Sequence, residues 1–325
     1  MMEITILATV CAFLVVIFLG PITIPTLKRF KFGQSIREEG PQSHMKKAGT
    51  PTMGGIMFII AIVVTTMVVS RKMTGTLWVV LLTTAGYGVI GLLDDGLKIV
   101  RRRNLGLRAY QKLIGQITFA FILAYFAYNS KDIGSTIHIP FTDVYFDLGI
   151  WYIPFIIFFI VGTTNAVNLT DGLDGLASSI TLIVGVFFAV VTYLIGTDNE
   201  SIGSLSIFCG ALVGSLLGFL KYNSYPAQVF MGDTGSLALG GAISAIAVLL
   251  KMPLIVVIVG GIYVMETLSV IIQVTSFKLT GKRVFKMSPL HHHFEQIGWH
   301  ETKVVAWFSI LTAIFCLIGF LAISF

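Results

Sequence analysis

Charge is what this chain has least of. Only 12% of its 325 residues are Asp, Glu, Lys or Arg, about half the share in ordinary globular chains. With 55% hydrophobic residues and a mean hydropathy of +0.89, it is not an ordinary soluble domain. Cysteine is scarce as well. Cys11, Cys209 and Cys316 each lie inside an apolar run, which leaves no disulfide framework and no zinc spacing. Period-two alternation is missing, which argues against an outer-membrane barrel. Long internal repeats are not evident, which weakens the case for a transporter built from inverted halves. Disorder is excluded by 25 Phe, 10 Tyr and 4 Trp, too much apolar surface for an unfolded chain.

What is present is long apolar runs. A bilayer core needs about 20 mostly apolar residues per helix. Ten candidates follow one another, roughly at 4–24, 53–70, 76–93, 109–128, 150–167, 176–196, 202–220, 235–250, 253–276 and 304–324. The first begins Met1-Met2-Glu3 without a basic stretch or a small-residue cleavage site, so it reads as a retained helix and not a signal peptide. Residues 131–149, with Ile137-His138-Ile139-Pro140-Phe141 and Val144-Tyr145-Phe146, read as a short amphipathic hairpin near the interface.

A net charge of +6 invites a nucleic-acid reading, but the distribution opposes it. With ten spans, 18 of the 22 Lys and Arg fall in alternate loops. The other loops hold only Arg71, Lys72, Lys131 and Lys251. Positive charge collects on the cytoplasmic side of membrane proteins. That rule places the rich loops inside and both termini outside.

The 16 Asp and Glu are informative because they are few. Asp94, Asp95, Asp171, Asp174 and Asp233 all stand at the cytoplasmic ends of spans, in three compact clusters: Gly91-Leu-Leu-Asp94-Asp95-Gly-Leu-Lys98, Asn165-Ala-Val-Asn168-Leu-Thr-Asp171-Gly-Leu-Asp174-Gly175, and Asn223 through Gly232-Asp233-Thr-Gly235. A single acidic residue at a helix end commonly does no more than mark the water boundary, because charge deep in hydrocarbon costs at least about 2.5–3.5 kcal/mol. Adjacent Asp94 and Asp95 are different. Two like charges about 4 Å apart repel by roughly 4 kcal/mol at an effective dielectric near 20. Lys98, three and four residues on, is one compensating cation if the segment is helical. A divalent metal is the other. Asp and Asn oxygens suit Mg²⁺ or Mn²⁺. Gly172 and Gly175 suggest a looped second cluster, and Gly232 and Gly235 allow close approach of a phosphate beside Asp233.

The fourth cluster is Ser288-Pro-Leu-His291-His292-His293-Phe-Glu295. Exposed loop imidazoles are the plain reading of such a triplet. Zinc would need further thiol or imidazole partners, and none is suitably placed. Histidine as a phosphate ligand or proton relay fits the neighbouring clusters. Carboxylates, amides, lysines and histidines gathered on one face of a hydrophobic body favour phosphoryl transfer to a lipid.

These four motifs, in this order, resemble the phospho-N-acetylmuramoyl-pentapeptide transferase family, a branch of the polyprenyl-phosphate N-acetylhexosamine-1-phosphate transferases. The resemblance spans essentially the whole chain, and the His291–Glu295 segment is the discriminating signature. It implies an all-α integral membrane protein forming one domain over 1–325. About ten transmembrane helices, outside termini, a short outside β-hairpin and a site facing the cytoplasm of the bacterial plasma membrane belong to that expectation. The implied reaction takes UDP-MurNAc-pentapeptide and undecaprenyl phosphate to lipid I and UMP with Mg²⁺. The implied partners are those substrates, the bilayer and a second copy of the chain, with no nucleic acid. By resemblance Asp233 is the leading Mg²⁺ ligand, and Asp94 and Asp95 are catalytic carboxylates near the lipid phosphate. Asn168, Asp171, Asp174, Asn223 and Lys98 line the nucleotide-sugar site. His291 and His292 stand near the diphosphate or sugar as catalytic residues, with His293, Lys112 and Glu266 as further substrate-binding contributors. A sister enzyme moving GlcNAc-1-phosphate would use the same carboxylates, though the His triplet argues against it. An ion-coupled transporter would need acids near mid-span, where only Glu266 is a candidate.

Overall fold

The computed structural model describes residues 2–29, 47, 49–101, 106–196 and 199–323. Lys31, Arg37, Lys46, Arg102 and Arg103, counted above among the inside charges, lie outside the described residues. The described residues are mostly helical: α1 (Met2–Arg29), α2 (Gly55–Val69), α3 (Gly75–Val100), α4 (Ala109–Asn129), α5 (Tyr152–Thr170), α6 (Leu176–Ile195), α7 (Glu200–Asn223), α8 (Gly232–Leu249), α9 (Ile255–Val259), α10 (Gly261–Thr280), α11 (Leu290–Gln296) and α12 (Glu301–Leu321). Eight of these are long and apolar enough to cross a membrane; α2 is shorter, at 15 residues. The protein is therefore of the multi-pass membrane type.

Each of the ten apolar runs forms a helix, and one is broken. The ninth divides into α9 and α10 at Gly260-Gly261, where a Cβ on Gly260 would stand 2.6 Å from the Val256 carbonyl. Hydroxyls inside the apolar helices turn back on their own backbone: Thr83 donates to the Val79 carbonyl, Thr84 to Val80, Ser244 to Gly240 and Thr312 to Phe308. That is how a hydroxyl is satisfied where water is absent.

At the centre stands α8, its residues from Thr234 to Leu249 all buried. Its sequence is mostly Gly, Ala, Ser and Leu, so neighbouring backbones come close. α3 and α5 flank it. Gly91 of α3 lies against the backbone of Asp233 and Thr234, and Gly240 of α8 lies against Thr164 of α5. The hairpin forms as the sequence suggests, with β1 (Thr136–His138) antiparallel to β2 (Tyr145–Asp147). It caps the end of the bundle where α8 and α12 finish: the His138 N–H donates to the Lys251 carbonyl and the Phe141 N–H to the Ala322 carbonyl. The motif residues gather at the opposite end.

Candidate active site

Three helix ends build the centre of the site. The last turns of α3 carry Asp94, Asp95 and Lys98, the first turn of α8 carries Asp233, and the last turn of α5 carries Asn168. Positive φ at Gly232 (70°) lets the chain turn sharply into α8. A Cβ at Gly232 would stand 2.5 Å from Asp95 Oδ2, so both halves of the pocket close on a glycine.

Each carboxylate is held in the same way. Asp94 Oδ1 accepts the Leu107 N–H at 2.7 Å, and its Oδ2 lies 2.7 Å from Lys98 Nζ. Asp95 Oδ2 accepts the N–H and hydroxyl of Thr234 at 2.9 and 2.8 Å, and its Oδ1 lies 3.5 Å from the same ammonium. Asp233 Oδ1 accepts from Asn168 at 2.8 Å, and its Oδ2 meets Lys98 at 2.8 Å and Lys112 at 3.1 Å. One oxygen of every carboxylate is thus fixed by neutral donors, and the other is turned to a common cation. Asp94 and Asp95 are each 4% exposed, so three carboxylates could not share this pocket without that counter-charge.

The ligand oxygens of Asp94, Asp95 and Asp233 lie within 4.8 Å of one another, close enough to hold one metal ion. The donor set fits a hard divalent cation, being oxygen only and anionic. The Lys98 ammonium marks the point of convergence.

Beyond the end of α5 the chain leaves the helix. Asn165 and Asn168 are helical, whereas Asp171 and Asp174 lie in the turn before α6. Gly175, with φ of 77°, reverses direction there. Asp171 is close enough to feel the cluster: desolvation, then the charges of Asp233, Asp95 and Asp174, pushes its carboxyl up to about 8.

Asp174 belongs to a second charged group. Its Oδ1 pairs with Lys47 Nζ at 2.7 Å, and its Oδ2 accepts the Ala227 N–H at 2.9 Å. Glu301 Oε1 pairs with Lys47 at 2.6 Å and accepts the Asp174 N–H at 2.5 Å. Burial disfavours the Lys47 charge, but bonds to Asp174 and Glu301 outweigh it and hold the ammonium above its usual range. Asn223, 2% exposed, accepts from the Ser178 hydroxyl at 2.7 Å and donates to the Val229 carbonyl at 3.0 Å. It fastens the loop that leads into Gly232.

The histidines stand on α11. His291 Nδ1 lies 3.0 Å from Glu266 Oε1, and both residues are fully buried. His292 Nδ1 lies 2.8 Å from Glu295 Oε2. His293 Nδ1 accepts the Lys286 N–H at 3.2 Å. The His291 ring packs on Gly172, beside Asp171, which connects this group to the turn.

Asp94, Asp95, Lys98, Lys112, Asn168 and Asp233 therefore share one pocket. Asp174 stands in the adjoining Lys47–Glu301 group, and Asn223 braces the loop. Sequence reasoning passed over Lys47, Glu301 and Thr234. Lys47 was one basic residue among many. A signal was present in Lys47-Ala-Gly-Thr-Pro-Thr-Met-Gly-Gly55, a glycine-rich stretch entering α2. It pairs with the loop before Asp233, the Gly54 N–H donating to the Phe230 carbonyl and the Phe230 N–H to the Pro51 carbonyl.

Comparison with known proteins converges on the same segments. Residues 77–251 match the profile of glycosyl transferase family 4, and residues 47–59 match phospho-N-acetylmuramoyl-pentapeptide-transferase signature 1. The chain is 59% identical over 322 residues to the phospho-N-acetylmuramoyl-pentapeptide-transferase of Clostridium novyi (strain NT), covering 99% of this chain and 98% of that one. It is 59% identical over 312 residues to the protein of the same name from Clostridium kluyveri (96% and 97% covered). The likeness to that of Clostridium perfringens (strain 13) is 54% over 315 residues (97% of each).

Proposed function

Because this chain belongs to the phospho-N-acetylmuramoyl-pentapeptide-transferase family, we infer that it transfers phospho-MurNAc-pentapeptide from UDP-MurNAc-pentapeptide to undecaprenyl phosphate. The products are lipid I and UMP, at the first membrane step of peptidoglycan synthesis. The observation that carries this reading is the pocket itself: three carboxylates and two lysines from α3, α4 and α8 around a single point.

In the reaction an oxygen of the lipid phosphate bonds to the sugar-bearing phosphorus. The bond from that phosphorus to the bridging oxygen breaks, and its electron pair leaves with UMP. The obstacle is the meeting of two anions, which fixed positive charge relieves. Lys98 and Lys112 supply it, with Asn168 holding Asp233 in place. Mg²⁺, for which Asp233 is the leading ligand with Asp94 and Asp95 beside it, supplies further charge neutralisation when bound. A phosphate monoester has a second pKa near 6 and is mostly dianionic at pH 7, so it needs little help from a base. Asp94, with both oxygens engaged by Leu107 and Lys98, positions the incoming phosphate or removes a residual proton. Asp171, Asp174 and Asn223 line the nucleotide-sugar side, with His291, His292 and His293 near the diphosphate or sugar.

The chain forms one domain over 1–325 that crosses the bacterial plasma membrane ten times, α2 and α4 included. Both termini face outward, the site faces the cytoplasm, and two copies form a homodimer. The basic-residue asymmetry supports this orientation, as does the hairpin lying at the far end from the carboxylates. The deciding assay incubates the purified protein with undecaprenyl phosphate and either UDP-MurNAc-pentapeptide or UDP-GlcNAc, with and without Mg²⁺. Metal-dependent UMP release and prenyl-linked product with the first nucleotide alone are expected. Product from UDP-GlcNAc alone would assign the sister reaction.

A further inference from the structure

Glu266 lies in α10 with no exposed surface. Its Oε2 accepts the Leu290 N–H at 2.6 Å, and its Oε1 accepts the His291 N–H at 3.3 Å. The same Oε1 lies 3.0 Å from His291 Nδ1. Both Glu266 oxygens already act as acceptors for backbone N–H groups, so in the third contact the ring nitrogen is the donor. In the neutral imidazole that leaves Nε2 as a bare acceptor. Nε2 is buried and has no hydrogen-bond partner. A buried polar atom left unmet carries a desolvation cost, and of the two ring nitrogens so placed among the described residues, His291 Nε2 and His138 Nδ1, only the former stands at the motif end of the bundle. Nε2 stands against Gly172, where a side chain could not be accommodated. Asp171 and Gly172 are themselves only partly buried, so the acceptor lies immediately beneath the turn that borders the site.

We propose that Glu266 is a positioning residue for the transfer reaction: it fixes His291 as the Nδ1–H tautomer. Nε2 is thereby presented at the Asp171–Gly172 turn as the acceptor for a hydroxyl or amide N–H of the bound nucleotide-sugar. The proposal rests on the functional reading above. Glu266 acts through the ring and touches no substrate. The side-chain oxygens of Glu266 are consumed by α11, so this one carboxylate sets both the start of that helix and the proton on its first histidine.

The test uses the full chain in detergent with ¹⁵N-histidine, His291 being assigned by its loss in His291→Asn. The unmutated protein should show a protonated Nδ1 and an unprotonated Nε2, and adding UDP-MurNAc-pentapeptide should shift Nε2 toward a hydrogen-bonded value. An Nε2–H tautomer, or no shift at saturation, overturns the proposal without any variant needing to fold. Glu266→Gln has one acceptor oxygen for three donors, so the Nε2–H form should appear. Its kcat/KM for the nucleotide-sugar should fall at least about tenfold, the order that one lost hydrogen bond costs, with KM for undecaprenyl phosphate unchanged. Glu266→Asp should recover part of the loss. Glu266→Gln with His291→Ala should be no worse than His291→Ala alone; multiplied losses would show that Glu266 acts elsewhere. Wild-type protein that releases no UMP would overturn the transferase reading and the positioning role with it, while the tautomer is still read independently.

Discussion

Replacing Gly91 by Ala puts the packing of α3 on α8 to a direct test. A Cβ at residue 91 would stand 2.5 Å from Thr234 N, and nearer still to the Asp233 carbonyl. Ordinary contact begins at 3.4 Å, so the two helices must part by at least about 0.9 Å (from 2.5 to 3.4 Å). Both obstacles are backbone, and neither can swing aside. Overpacking of this kind costs about 1–3 kcal/mol of stability, which leaves the protein folded. The larger effect falls on the chemistry. The Thr234 bonds to Asp95, at 2.9 and 2.8 Å, stretch beyond hydrogen-bond range, and Asp233 moves away from Asp94 and Lys98. Misplacement by about 1 Å costs on the order of 10²-fold in rate. UMP release should therefore fall about a hundredfold in Gly91→Ala, while thermal unfolding in detergent still shows a cooperative transition. Gly96→Ala, five residues along the same helix, is the control: its Cβ meets nothing within 4 Å. It should keep its activity and gain up to about 1 kcal/mol of helix stability. Gly91→Ala turning over within threefold of wild type, or Gly96→Ala failing as badly, would refute the reasoning.

Asp233→Asn should lose nearly all turnover and its response to Mg²⁺, and near-normal kinetics would remove Asp233 from the metal. Single-turnover reaction with radiolabelled nucleotide-sugar should trap no acyl-phosphate on Asp94; a labelled aspartyl adduct would replace direct attack with a covalent intermediate. Lys47→Met leaves Asp174 and Glu301 facing each other without their shared cation. Breaking a buried pair this way costs about 3–5 kcal/mol, so a clear fall in melting temperature is expected, and an unchanged one would show that the network is not structural. Lys47→Arg should restore most of it.

Every long helix was legible from apolar runs, because membrane-type helices announce themselves by composition. Their ends were less so. α1 runs to Arg29 and α5 to Thr170, past the apolar stretches, since a helix continues as far as its backbone bonds are met. Of the pocket, the identities of Asp94, Asp95, Lys98 and Asp233 were readable from their clustering, and Lys98 was one of two candidate partners for the aspartate pair. What could not be read is which oxygen faces where. The bond from Leu107 and one of the two from Thr234 come from backbone N–H groups, which every residue type but proline possesses. Lys47 and Glu301 escaped notice for a related reason: they lie 254 positions apart, and no local pattern links them. Glu266 was noticed as a deep acid, but its burial against α11 depends on a fold that brings residues 266 and 291 together.

Lys98 and Lys112 together offset most of the charge of the three aspartates gathered around them. The resting protein thus carries its own internal counterion, and the pocket can be assembled during insertion into a bilayer before any ligand arrives. On the proposed function, catalysis becomes an exchange of partners, the ammonium groups of Lys98 and Lys112 turning from carboxylate to phosphate oxygen.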